Sequence, residues 1–168
     1  MGVLCDYQIE QLAASGMIEP YEPSLINPAS LDVRIGNTYR LATYLGWSGP
    51  VALGDGFRLT QGVHLLLDTL EYVKIPNYLM CEMWLKSSAG RKGLNVYKAG
   101  YIDPGFEGTV TFRLWNDLPA PVTIAPGDRV IQLVFREMSK VPRRSYKQTG
   151  HYNGQRGPTV AWNEGGER

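Results

Sequence analysis

Glycine and proline interrupt this chain every several residues, and short runs of Val, Ile, Leu, Tyr, Thr and Phe stand between the interruptions. With 19 glycines and 11 prolines among 168 residues, the pattern suits short strands joined by turns. Residues 31–35, 63–67, 72–75, 108–116, 122–124 and 130–135 have the composition of such strands. Their spacing predicts a mainly β fold, a sandwich or barrel. One short helix is expected near the start, with Asp6 as cap, Ile9, Leu12 and Ala13 on one face and Gly16 at its end. From about Pro142 the chain turns polar and turn-rich. That tail either frays or orders on a ligand or partner.

The length suits one domain with a real core. An apolar fraction of 43% with 20% charged residues is that of a folded protein rather than a disordered one. The formal net charge of +1 supplies no field to recruit a polyanion, which argues against nucleic acid as a partner. A small phosphorylated ligand needs only a few placed cations and stays open. Cys5 and Cys81, the only cysteines, read as reduced thiols. The first residues carry no basic region, and no apolar run approaches the ~18–20 residues of a membrane span. A soluble, cytoplasmic protein without a membrane partner is expected.

Four segments hold residues able to do chemistry. In Lys86-Ser87-Ser88-Ala89-Gly90-Arg91-Lys92-Gly93-Leu94, hydroxyls, backbone N–H groups and arginine could cradle phosphates. The same composition also makes an ordinary solvated turn. In Ala99-Gly100-Tyr101-Ile102-Asp103-Pro104-Gly105-Phe106-Glu107-Gly108, Gly100 and Gly105 permit positive φ and close backbone approach to a planar base. Asp103 in the bend either activates water or caps a hairpin. Gln132 is polar within the apolar run 130–135, as an edge residue or a ligand contact. The fourth segment, residues 152–159, is glycine-rich and polar within the tail.

In order and content these segments resemble the dUTPase/dCTP deaminase superfamily, in the form of its dCTP-deaminase-like branch. The resemblance rests on Ala29-Ser30-Leu31-Asp32-Val33-Arg34, on residues 86–94 and 99–108, on Gly127-Asp128-Arg129-Val130-Ile131-Gln132-Leu133, and on the tail at 152–159. It implies a distorted jelly-roll or β-barrel of the dUTPase type over residues 1–145, followed by an arm, 146–168, that closes over a triphosphate. It implies a homotrimer with sites shared between chains. Ser87, Ser88 and Arg91 would hold the triphosphate of deoxyuridine or deoxycytidine triphosphate, with Gln132 and the arm residues Tyr146, Tyr152 and Gln155. Ala99, Gly100 and Ile102 would read the pyrimidine, Phe106 would pack on the deoxyribose, and Asp103 would activate water. Mg²⁺ would be held mainly through the phosphates rather than by a protein cluster.

The resemblance also poses a choice of reaction. The family's deaminases carry a glutamate on the strand after the third segment, at the position of Arg113. Arginine stays protonated and cannot take the proton that such a base must accept. Alternation places Thr109, Thr111 and Arg113 on one face, opposite Val110, Phe112 and Leu114. Glu107 precedes the strand, and the His and Cys residues lack zinc-deaminase spacing. The expectation is therefore a dUTP diphosphatase; a mono- or bifunctional dCTP deaminase and an inactive nucleotide-binding trimer are the alternatives. Two further departures are Lys86, where the family's segment begins with arginine, and His151 in place of a lysine.

Overall fold

The computed structural model describes residues 2–97 and 100–162. A short helix, α1 (Asp6–Leu12), precedes β1 (Ile18–Glu19), β2 (Ile26–Asn27) and the long β3 (Ser30–Thr43). Three short strands follow: β4 (Gly46–Trp47), β5 (Val51–Ala52) and β6 (Phe57–Leu59). The centre of the chain forms β7 (His64–Lys74), β8 (Leu79–Leu85), the single helical turn α2 (Ser87–Arg91), β9 (Leu94–Val96) and β10 (Tyr101–Ile102). The remainder gives β11 (Glu107–Asn116), β12 (Val122–Ile124), β13 (Arg129–Glu137) and α3 (Tyr146–Thr149). Mainly β architecture with a short amino-terminal helix is what the glycine and proline spacing predicted.

The main sheet runs β10-β8-β13-β3-β7-β11-β9, all antiparallel, and β12 pairs separately with β6. Laid flat, its outer strands would stand about 29 Å apart, six spacings of roughly 4.8 Å. Only five residue steps, at most about 18 Å of extended chain, separate Val96 in β9 from Tyr101 in β10. The sheet therefore curls until its two edges approach. The core fills the curl with Leu31, Val33, Ile35, Leu65, Leu67, Leu114, Ile131, Leu133 and Phe135, and with Ile9 from α1, all fully buried.

Two local expectations change. Cys5, not Asp6, is the helix cap: the Gln8 side chain accepts from the Cys5 backbone N–H at 3.1 Å, and Asp6 lies inside the first turn. The runs at 63–67 and 72–75 belong to one strand, β7. Asp68 and Thr69 interrupt the apolar pattern without ending the strand, because their polar groups find partners. The Thr69 hydroxyl donates to the Glu71 carbonyl at 2.7 Å and accepts the Val110 N–H at 2.9 Å. The β7–β11 register shifts between Thr109 and Thr111 to absorb the irregularity.

A buried ion pair fastens β3 to β7. Glu71, with no exposed surface, accepts from the Arg34 backbone N–H at 2.7 Å and from its Nε at 2.6 Å. Arg34 reaches on to Glu22 at 2.7 Å. The Ser24 hydroxyl first, and the Arg34 and Arg129 guanidinium groups after it, hold the Glu22 carboxyl below its ordinary range. No helix among the described residues is long and apolar enough to cross a membrane. Removing the acid leaves the Arg34 backbone N–H and Nε without their buried acceptor and only Glu22 at the far end of the guanidinium, so Glu71→Ala is expected to lower unfolding free energy by up to about 3–5 kcal/mol. Breaking the exposed Lys74–Glu19 pair by Lys74→Ala should cost no more than about 1 kcal/mol; urea unfolding of both variants checks the contrast.

Candidate active site

The carboxylate sits on the turn between β10 and β11. The Phe106 N–H donates to the Asp103 carbonyl at 3.1 Å, with Pro104 second and Gly105 third in the turn. Gly105 has φ +86, the value a type II turn demands at that place. The Gly105 N–H donates to the Ile75 carbonyl at 3.0 Å, and the Ile75 N–H donates to the Phe106 carbonyl at 2.8 Å, which pins the turn to the end of β7. Ile102 and Phe106 are buried on either side while Asp103 is exposed between them. Gly100 provides the close backbone approach expected of it. A Cβ there would lie 2.6 Å from the Met83 carbonyl oxygen. Ala99 lies outside the described residues.

The arm completes a cavity of about 410 Å³ in front of this turn, lined by Ile102, Asp103, Phe106 and Thr111 from the sheet and by Tyr146, Tyr152 and Gln155. Such a volume lies in the range of small-ligand sites. Tyr146 meets Phe106 edge-on at 5.6 Å, and its backbone N–H donates to the Pro104 carbonyl at 2.9 Å. Burial first, with Asp103 nearby, pushes the Tyr146 phenol up. A larger cavity of 590 Å³ shares Tyr152, Gln155 and Thr159 but contains neither Asp103 nor the 86–94 segment.

The polarity of the tail suggested no core to hold it. The structure docks it on β11, through backbone groups that a residue pattern does not display. The Thr109 N–H donates to the Gln155 carbonyl at 3.0 Å, and Gln155 Nε2 donates to the Thr109 carbonyl at 2.7 Å. Gly154 donates to the Glu107 carbonyl at 2.6 Å, and Thr159 to the Thr111 hydroxyl at 3.2 Å. Arg40 Nε holds the Pro158 carbonyl at 2.7 Å, and His151 stacks on Trp162 at 3.8 Å. Residues 163–168 of the expected arm lie outside the described residues.

The phosphate-cradle residues stand elsewhere in the chain. Ser87, Ser88 and Arg91 are exposed on α2, and Ser88 lines a small cavity with β12 and the start of β13. Gln132 accepts from the Ser30 hydroxyl at 3.2 Å and lines none of these cavities. Lys86 pairs with the buried Asp32, which also accepts from Asn27 at 2.9 Å. Its charge is therefore spent inside the fold. No group of three or more His, Cys, Asp or Glu side chains stands close enough to hold a metal among the described residues.

A model of the dCTP deaminase-like family matches residues 3–138. Proteins named "dCTP deaminase, dUMP-forming" are 37% identical over 172 residues in Aquifex aeolicus, covering 92% of this chain and 91% of the relative, and 38% identical over 160 residues in Corynebacterium glutamicum, covering 84% and 85%. The chain belongs to the dCTP deaminase-like family. Among solved structures, a 2′-deoxycytidine 5′-triphosphate deaminase from Agrobacterium tumefaciens superposes with TM-score 0.69 at 23% identity, over 82% of this chain and 48% of that one. The EIAV dUTPase superposes with TM-score 0.51 at 16% identity, over 77% and 89%. These likenesses give the fold, the distorted jelly roll of the dUTPase type. The relatives' names match the deaminase alternative better than the diphosphatase expectation.

Asp68 escaped the sequence reading of the site. It pairs across strands with Thr111, which lines the cavity, and accepts the Gly157 N–H of the arm at 3.0 Å. A charged residue between Leu67 and Leu70 was the available signal, of the same kind as Gln132. Burial pushes the Asp68 carboxyl up, partly offset by the Thr109 hydroxyl and the Gly157 N–H. A raised carboxyl binds its proton more tightly in the folded state, so stability falls as pH rises from the ordinary carboxylate range through the folded value. Asp68→Asn, which can still accept from Gly157, is expected to melt higher than wild type at pH 7.5, with the difference shrinking as pH falls towards 4. Equal melting temperatures across that range would remove the buried charge from the account.

Proposed function

We propose that this chain hydrolyses dUTP to dUMP and pyrophosphate, the dUMP-forming half of the chemistry named in its relatives, without the deamination. A dCTP deaminase that forms dUMP must both replace the 4-amino group and cleave a phosphoanhydride. The second task needs one activated water, and Asp103 is an exposed carboxylate at the edge of a cavity of nucleotide scale. The first needs a group that takes a proton from water and returns it to departing ammonia. The family resemblance puts Arg113 at that place, and a guanidinium cannot accept the proton. That single residue carries the reading.

In the proposed reaction Asp103 takes a proton from a water that attacks the α-phosphorus. The bond from the α-phosphorus to the bridging oxygen breaks, and pyrophosphate leaves with the electron pair. Phe106 packs on the deoxyribose, and Ile102 with the backbone about Gly100 faces the base. Mg²⁺ held by the phosphates supplies charge neutralisation; a lone carboxylate in the cavity fits a cation that arrives with the nucleotide. Ser87, Ser88, Arg91 and Gln132 grip the triphosphate from a neighbouring copy in a homotrimer. What supports the shared site is that, within one chain, Ser88 and Asp103 line separate cavities. A soluble cytoplasmic enzyme acting on free nucleotide completes the reading.

The relatives' names favour a second reading, in which the chain performs both steps. That reading needs another proton carrier, yet Glu107 is paired with Lys147 at 3.1 Å and Asp68 lies buried beneath the arm. Pyrophosphate and ammonia measured separately from dUTP and from dCTP decide between the two. Pyrophosphate from dUTP with no ammonia from dCTP is expected; ammonia at a rate comparable to hydrolysis would establish the second reading. Asp103→Asn should lower pyrophosphate release by about 10²–10⁴-fold. An equal mixture of Asp103→Asn and Arg91→Ala subunits, refolded together, should regain activity in up to roughly a quarter of sites if each site draws on two chains. No regain would place both residues in one chain's site.

A further inference from the structure

Among the described residues Arg113 is a cation with no acidic partner, set against two aromatic rings. Its guanidinium carbon lies 4.7 Å from the Tyr97 ring centroid and 5.3 Å from that of Trp115. Trp115 is itself fixed, with its indole N–H donating to Asp117 at 2.6 Å and its ring tilted against His64 at 5.3 Å. The Tyr97 N–H donates to the Arg113 carbonyl at 3.1 Å, which ties the tyrosine to the strand. Arg113 Nε is buried without a hydrogen-bond partner, and no carboxylate pairs with the guanidinium among the described residues. Stacking contents the faces of a guanidinium and leaves its edge of N–H donors unsatisfied. A buried donor such as Nε without a partner is costly, and an acceptor arriving with a ligand would relieve that cost.

Its position says which acceptor. Thr111 lines the cavity beside Asp103, and Arg113 follows on the same face of β11, about 7 Å along the strand. The two aromatic rings beside it suit a flat base rather than a freely hydrated phosphate. A guanidinium has donors only. Uracil presents a carbonyl oxygen at position 4, while cytosine presents an amino group there, itself a donor. We propose that Arg113 is a specificity-determining residue that donates to the 4-oxo group and rejects 4-amino pyrimidines. This rests on the pyrimidine deoxynucleotide reading above and goes beyond it: the arginine both removes the deaminase base and selects the base that needs no deamination. Sites that donate to a substrate group discriminate against analogues lacking the acceptor by up to about 10⁴–10⁵; at least about 10² is expected here.

The test reads binding, so that it does not depend on turnover. Dissociation constants for the α,β-imido analogues of dUTP and dCTP are measured by calorimetry on wild type, Arg113→Gln and Arg113→Lys. Wild type is expected to favour the dUTP analogue by at least about 10². Arg113→Gln, whose amide offers a donor and an acceptor, should compress that ratio at least tenfold, while Arg113→Lys should keep part of it. Should Arg113→Gln fail to fold, Arg113→Lys against wild type carries the comparison through the two-edged fork that lysine lacks. A wild-type ratio near one, equal loss of both analogues in the variants, or no binding of either overturns the proposal. A compressed ratio in an enzyme that releases no pyrophosphate upholds Arg113 and removes the hydrolase reading. An unmoved ratio in an enzyme that does hydrolyse dUTP removes Arg113 and keeps the hydrolase.

Discussion

The pairing of β7 with β11 is the constraint on which the candidate site depends. Its register runs from Glu107 opposite Lys74 to Trp115 opposite His64, with one shift between Thr109 and Thr111. At one end the ladder holds the Asp103 turn, through Ile75 and Phe106. Along its length it presents Thr109, Thr111 and Arg113 on one face. The arm then docks beside the same strand, with Gln155 against Gly108 and Thr109. One strand thus positions the carboxylate, the cavity wall, the cation and the closing segment. A slip of a single residue in that register would turn each outward-facing side chain into the core.

Buried charge secures the sheet that carries this strand. Glu71 and Arg34 join β3 to β7, and Lys86 with Asp32 joins the end of β8 to β3. Arg34, Asp32 and Lys86 lie in segments on which the family resemblance rests, whereas Glu71 lies outside them. Lys86 in place of arginine read as a phosphate or carboxylate contact reduced to a single prong; its partner is the carboxylate of an aspartate with almost no exposed surface. The exposed hydroxyls of Ser87 and Ser88 and the Arg91 guanidinium remain as the segment's polar display. Motif membership therefore does not separate residues that face a ligand from residues that hold the loop in place.

The strands at 108–116, 122–124 and 130–135 were legible because alternation and composition agree there; Val110, Phe112 and Leu114 are buried as their period required. The continuity of β7 was not, since Asp68 and Thr69 look like an interruption until their partners, 89 and 41 residues away, are known. The helix cap shifted by one residue because a Cys5 backbone N–H bonded to Gln8 does the work assigned to Asp6. The turn chemistry of Pro104-Gly105 was readable, whereas the role of Gly100 depends on the Met83 carbonyl, a long-range contact that no local rule contains. Ile102, Asp103 and Phe106, which share one stretch of chain, line one cavity. The contribution of Asp68 was missed because it comes from the neighbouring strand.

The arm shows most clearly how composition misleads about order. A polar, glycine-rich tail has few apolar groups to bury, yet it can exchange backbone hydrogen bonds with an available strand edge, and those leave no residue pattern. Gln155 illustrates the consequence. Its side-chain amide, read as a phosphate contact, donates instead to the Thr109 carbonyl while its own carbonyl accepts from the Thr109 N–H. Tyr146 and Tyr152 add the packing, one edge-on to Phe106 and linked to the other through a 3.4 Å contact from the Tyr152 N–H to the Tyr146 hydroxyl. In this arrangement Gln155 shapes the cavity by fixing the arm's backbone. In the proposed function the triphosphate donors therefore come from exposed groups outside the arm, Ser87, Ser88 and Arg91. Their absence from the cavity lining within one chain is what supports the shared site in that proposal.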